Sequence, residues 1–315
     1  MSSESFKKIL SNVQQIVGYN PSFLSMRNLF NDEISNMAMS FMQIINSKHP
    51  LLKNTKKLIY GDYNIVQMHG LIILLIAKLF GIPKNFTNTT LSENEQGITQ
   101  KQRSLSEVTQ MIYLARMIHK GILEFEDETF EKSIIIGNNL AILSGDYLLA
   151  CACRDLAKLE DTSVVEKMSQ AIADLMVLEY KEYEDIQNFN NVNIINQSID
   201  KKFFNLLAYG SYSTLTLVNH PINFKKLAFD FGDQLGTALE LYVKIKEPKH
   251  FNNVQKSVLV QNCVFQFQSA LNTLSIVTSI ESNIKSIFKD VINSFLDSIN
   301  QINTNRDIPT IHHDT

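Results

Sequence analysis

An excess of charge of either sign is missing from this sequence. Its 29 basic and 32 acidic residues leave a formal net charge of -3 over 315 residues, too close to balance to draw in a polyanion by field alone, so no nucleic-acid partner is expected. Cysteine is scarce as well. Cys151, Cys153 and Cys263 make neither an even disulfide framework nor a C-x-x-C zinc spacing, and are expected as buried reduced thiols. No apolar run reaches the ~20 residues that a bilayer requires. The longest, "GLIILLIAKLFGI" from Gly70 to Ile82, is interrupted by Lys78 and reads as a core helix, so no transmembrane segment is expected. The first 20 residues, with Lys7 and Lys8 but no arginine, lack a signal-peptide core and read as an N-terminal extension, the remnant of a targeting segment.

Proline and glycine are few, 6 and 11, and alternating strand patterns are rare. What fills the chain is apolar periodicity of three to four residues, which makes the class all-α. Leu105, Val108, Met111, Ile112, Ala115, Ile118 and Ile122 form one such stripe, and "SLSE" at 104 to 107 offers a capping box for its helix. Further helices are expected near 22–47, 61–81, 137–159, 162–188, 200–218, 222–247, 254–278 and 282–302, with Pro50, Pro83, Pro221 and Pro248 at the breaks. A chain of this length buries roughly three quarters of its unfolded surface, enough for one helical domain over residues 21–302. The polar segment 83–103 and the Asn-rich 188–198 read as loops, the first of them mobile, and 303–315 as a flexible tail. The helix from Leu140 to Cys153 is apolar almost all round, which calls for burial within the core or between two subunits.

Particular phrases resemble a known family. "GNNLAILSGDYLLACA", Gly137 to Ala152, is similar to the G-x-x-A-x-L-x-G-D-x-L-L-A-x-A helix of trans-prenyl diphosphate synthases, and "FDFGDQLGTALELYVKIKE", Phe229 to Glu247, to the segment leading into their second aspartate-rich motif. "EVTQMIYLARMIHKGIL" falls where the first such motif follows a histidine. The resemblance runs from about residue 20 to 300 and implies an isoprenoid synthase-type helical bundle. In catalytic members two facing helices each carry D-D-x-x-D, whose first and last acids share a helix face. Those carboxylates hold magnesium ions, which bind the diphosphate of an allylic substrate.

Aligned on that pattern, the first motif becomes Lys120, Gly121 and Glu124, and the second Val243, Lys244 and Glu247. A lysine ammonium has three donors and no acceptor, so Lys120 and Lys244 repel a magnesium ion. The segment that grips isopentenyl diphosphate falls near Ile65 to Gln67 without its basic residues, Tyr113 stands where a histidine is expected, and Lys202 alone keeps a residual phosphate contact. The opening "VGYNPSFLSMRNLFNDEISNMA", "QRSLSE" and "HKGI" resemble the non-catalytic second-subunit branch of heteromeric polyprenyl diphosphate synthases. That branch implies no catalytic residue and no metal or cofactor held by this chain, with magnesium in a catalytic synthase partner, in a heterodimer or heterotetramer. It also implies a role in making the ubiquinone side chain, a mitochondrial location, and peripheral membrane contact through the apolar product. Leu143, Asp146, Tyr147 and Leu149 are the expected subunit interface.

Plainer readings stand beside these. Glu124 with Glu128, and Asp127 with Glu131, have an i,i+4 spacing that could hold a relocated metal in a self-sufficient prenyltransferase. A shift of four residues along a helix is about 6 Å, however, and the facing helix offers only Val243 and Lys244, so a solvated helix end is favoured. His119 has no nucleophile near it in sequence and reads as a satisfied polar residue. Asp146 reads as structural or interfacial, and Gly232 and Gly236 as points of close helix packing. A helical lipid-binding protein without a synthase partner is the remaining alternative.

Overall fold

The structure, a computed structural model, describes residues 11, 13–17, 68–83, 97–122, 132–187, 205–246, 253–277 and 282–304. All regular structure among the described residues is helical. In chain order the helices are α1 (Met68–Phe80), α2 (Gln100–His119), α3 (Lys132–Ala157), α4 (Thr162–Gln187), α5 (Asn205–Thr216), α6 (Ile222–Lys246), α7 (Asn253–Ile276) and α8 (Ser282–Thr304). The periodicity located each of these; the expected start of the first, at 61, lies outside the described residues. The expected helix at 22–47, the loop at 188–198 and the acidic cluster from Glu124 to Glu131 lie outside the described residues.

α1 is buried along its whole length except at Lys78. Its lysine does not break the core, because the ammonium reaches the edge and donates to Ile16 O at 2.9 Å, as long basic side chains do. The helix ends at Gly81, whose φ of 66° and N–H bond to Ala77 O make a left-handed cap open to glycine and costly for most other residues.

α2 begins earlier than the "SLSE" pattern suggests. Thr99 is the N-cap, accepting from Gln102 N while the Gln102 side chain accepts from the Thr99 N–H. Two neighbouring S/T-x-x-E/Q patterns compete here, and "TQKQ" at 99 to 102 wins, so residues 100–103 are helical instead of loop. Gln102 has a second role, its Nε2 donating to Thr214 O at the end of α5.

α5 is the short central helix, packed against α1, α2, α4 and α6. Two of its hydroxyl residues, Ser211 and Thr216, are buried at little cost because they donate to carbonyls four residues back, Leu207 O and Tyr212 O, which satisfies these two groups within the helix. Gly232 of α6 sits so close to it that a β-carbon there would come within 2.6 Å of Leu207 O. That is the close packing expected of this glycine. α5 closes with Asn219 at φ 58°, Asn219 N bonding to Thr216 O and His220 N to Leu215 O, a two-bond turn that stops the helix before Pro221 opens α6.

α5 also divides two cores. Leu207 and Leu215 join α1, α6, α7 and α8, whereas Leu206 joins α2, α3 and α4. In the first, Phe267 stacks on Phe295, Phe231 meets Phe288 edge to face, and Tyr242 shares a 2.8 Å hydrogen bond with Ser298. Each fully buried leucine, isoleucine or phenylalanine contributes roughly 1.5–3 kcal/mol. Cys263 lies in this core, its thiol pushed up to about 12 by burial. Cys151 is buried too, but Cys153 is exposed, because it falls on the outer side of α3, a departure from the expectation that all three are buried.

Candidate functional site

The two aligned motifs fall at the C-terminal ends of α2 and α6. At the end of α2, Lys120 N donates to Arg116 O, Gly121 N to Ile118 O and Ile122 N to His119 O. The helix tightens into three-residue bonds and stops, which leaves Lys120 exposed and Gly121 half-buried in the closing turn. At the end of α6, Val243 and Lys244 are half-buried. Lysines suit these positions, since a helix C-terminus carries negative partial charge. Glu124, Glu247 and Lys202 lie outside the described residues. Magnesium takes oxygen ligands, and the side chains at 120, 121, 243 and 244 offer none. These four positions do not fit the ion.

One turn inward from both ends is a feature that the sequence reading missed. Arg116 Nη1 donates to Glu240 Oε1 at 2.7 Å, with Arg116 only 1% and Glu240 4% exposed. Arg116 precedes Lys120 by four residues, and Glu240 precedes Lys244 by four, so each lies beneath its lysine on the same helix face. The signal available in the sequence was a lone base in "LARMI" and a lone acid in "ALELYV", each interrupting an apolar stretch. Opposite charges in such places must find one another or remain uncompensated. Nearby, His69 of α1 stacks on Tyr113 of α2 with ring centroids 3.6 Å apart, and Gly70 N donates to Gln110 Oε1.

The resemblance phrase "SGDY" has its own geometry. The His119 ring lies against the α3 backbone at Gly145, where the three nearest atoms to an added β-carbon all belong to that ring and would clash. His119 Nε2 is 3.4 Å from both Ile142 O and Asp146 Oδ1. Glycine and aspartate are therefore next to each other for complementary reasons, the one making room for the imidazole and the other facing it.

α3 packs on α2, and its Leu148, Cys151 and Ala152 join the core that the two helices share. It is not buried all round. Ile135, Ile136, Ile142, Leu143 and Tyr147 are exposed, Leu143 by 58%, and with Asp146, whose carboxylate is mostly exposed, they line one side at helical spacing. Leu149 is half-buried. By length and composition Ile135–Ala157 would suffice to cross a membrane, with 28% of its apolar window buried, yet here the helix is docked along one side on α2.

No protein-family model matches the chain. Over 239 residues, 73% of this chain and 60% of the relative, it is 34% identical to all-trans-polyprenyl-diphosphate synthase PDSS2 of Homo sapiens. It is 25% identical over 219 residues, 67% of this chain and 50% of the relative, to "Solanesyl-diphosphate synthase 1, mitochondrial" of Oryza sativa subsp. japonica. The chain thus spans 60% of the human relative's length and half of the rice one's. Its fold superposes on a decaprenyl diphosphate synthase from Rhodobacter capsulatus with a TM-score of 0.56 at 14% identity, covering 85% of this chain and 98% of that one. By its sequence and its all-α bundle, this chain belongs to the trans-polyprenyl diphosphate synthase family.

Proposed function

We propose that the chain is a non-catalytic accessory subunit of a heteromeric long-chain trans-polyprenyl diphosphate synthase, sustaining a catalytic homologue that makes the ubiquinone side chain. The observation that carries this reading is the pair of lysines, Lys120 and Lys244, at the ends of two helices where magnesium-binding aspartates are expected. A subunit with ammonium groups there lacks the oxygen ligands that would neutralise a departing diphosphate. The catalytic partner supplies both aspartate motifs and the magnesium. The rice relative is named as mitochondrial, which favours the same compartment here.

The exposed side of α3 is the surface we assign to that partner. Five large apolar side chains lie there, and covering their exposed portions yields roughly 1 kcal/mol each by area. Association itself costs on the order of 4–15 kcal/mol, so this side forms the centre of a wider interface. Leu143 is the residue to change, because Leu149 also packs inward and its loss would confound folding. With Leu143→Arg, the isolated chain should unfold within about 2 °C of wild type, as expected for an exposed position. Co-elution with a catalytic synthase on size-exclusion chromatography should be lost. Unchanged co-elution would move the interface elsewhere.

A further inference from the structure

We propose that the Arg116–Glu240 ion pair is an internal strut that fixes the separation of the ends of α2 and α6, so that this end of the bundle keeps one geometry without any ligand. α2 and α6 each pack on α5 and do not pack extensively on one another. The pair crosses the interior between them, buried at both ends, with a 2.7 Å bond. Both participants lie one turn from the terminal residues Lys120 and Lys244, so the bond acts where the two helix ends would otherwise separate most freely.

Stability alone does not account for the choice of charges. A buried ion pair contributes no more than a well-packed apolar pair of similar volume, and often less, because desolvation offsets the attraction. What a guanidinium–carboxylate bond adds is direction and a fixed length. The strut also has a lateral connection. Three residues beyond Arg116, His119 lies against Gly145 of α3, so holding the end of α2 relative to α6 also sets the position of α3 and of its exposed side. The proposal concerns the chain by itself and goes beyond the accessory-subunit reading.

Hydrogen exchange by mass spectrometry on the isolated full chain tests it, comparing wild type with Arg116→Met, Glu240→Gln and the double variant Arg116→Met/Glu240→Leu. Either single substitution should lower Tm and speed exchange at least about tenfold in residues 113–122 and 240–246 together, since each removes one partner of a buried ion pair. The double variant should regain most of the lost Tm while both ends still exchange faster than wild type. Wild-type protection at both ends of the double variant would overturn the strut, leaving the pair a stabilising contact only. So would faster exchange confined to the helix carrying the single substitution. Should the double variant not fold, Glu240→Gln decides alone, because it keeps the volume and must speed exchange in α2 although the change is in α6. None of these outcomes involves a partner or turnover, so failure of the strut and failure of the accessory-subunit reading remain separate results.

Discussion

Gly145 and His119 were each visible in the sequence, and their contact was not, because 26 positions separate them and no local pattern joins a histidine on one helix to a glycine on the next. Alanine at a mid-helix glycine ordinarily stabilises by roughly 1 kcal/mol. Here the three nearest atoms to the new methyl all belong to the His119 ring. Gly145→Ala is therefore expected to destabilise by about 1–2 kcal/mol, and to cost clearly less, or to stabilise, in a His119→Ala background; urea unfolding of the four-member cycle measures the coupling. An equal cost in both backgrounds would remove His119 as the reason for the glycine. His220 is a second residue whose role emerges only in three dimensions. Its Nε2 donates to Gly81 O at 2.9 Å, its ring sits among Phe80 and Phe224, and burial lowers its pKa, outweighing the Gly81 bond, with Lys225 acting in the same direction as burial. The neutral form is thus favoured in the folded state. On acidification the unfolded chain binds this proton first, so His220 makes stability fall as pH drops from about 6.5 toward the lower folded pKa, with no such contribution above. The stability difference between wild type and His220→Gln should be constant above pH ~7 and should shift against wild type as pH falls through ~6.

At the scale of the element, most of the bundle was legible because long amphipathic helices repeat their apolar residues with a period that strands do not share. The start of α2 was not, since "TQKQ" and "SLSE" are chemically equivalent caps, and the choice depends on Gln102 also reaching Thr214 O of α5. Thr99→Ala should cost about 1 kcal/mol and Ser104→Ala only a few tenths, by thermal unfolding; the reverse order would return the cap to Ser104. α3 shows the opposite limit of sequence reading. Its composition indicates burial on every side, whereas the structure buries the side toward α2 and leaves Ile136, Leu143 and Tyr147 exposed. Composition records how apolar a helix is, and only packing shows which side the chain itself covers.

At the scale of the whole molecule, two cores meet across α5, and the helix ends that carry the aligned motifs belong to different cores, α2 to one and α6 to the other. In place of convergent carboxylates, those ends carry Lys120 and Lys244, with Arg116 bonded to Glu240 beneath them. The aligned substitutions were legible residue by residue, but the ion pair between the helices was not, because its partners lie 124 positions apart. The most direct measurement is incorporation of labelled isopentenyl diphosphate, with magnesium and an allylic primer, by this chain alone, by a catalytic homologue alone and by the mixture. An accessory subunit predicts no product from this chain and far more long-chain product from the mixture than from the homologue by itself. Magnesium-dependent product from this chain alone would contradict the account and direct attention to the carboxylates that follow His119.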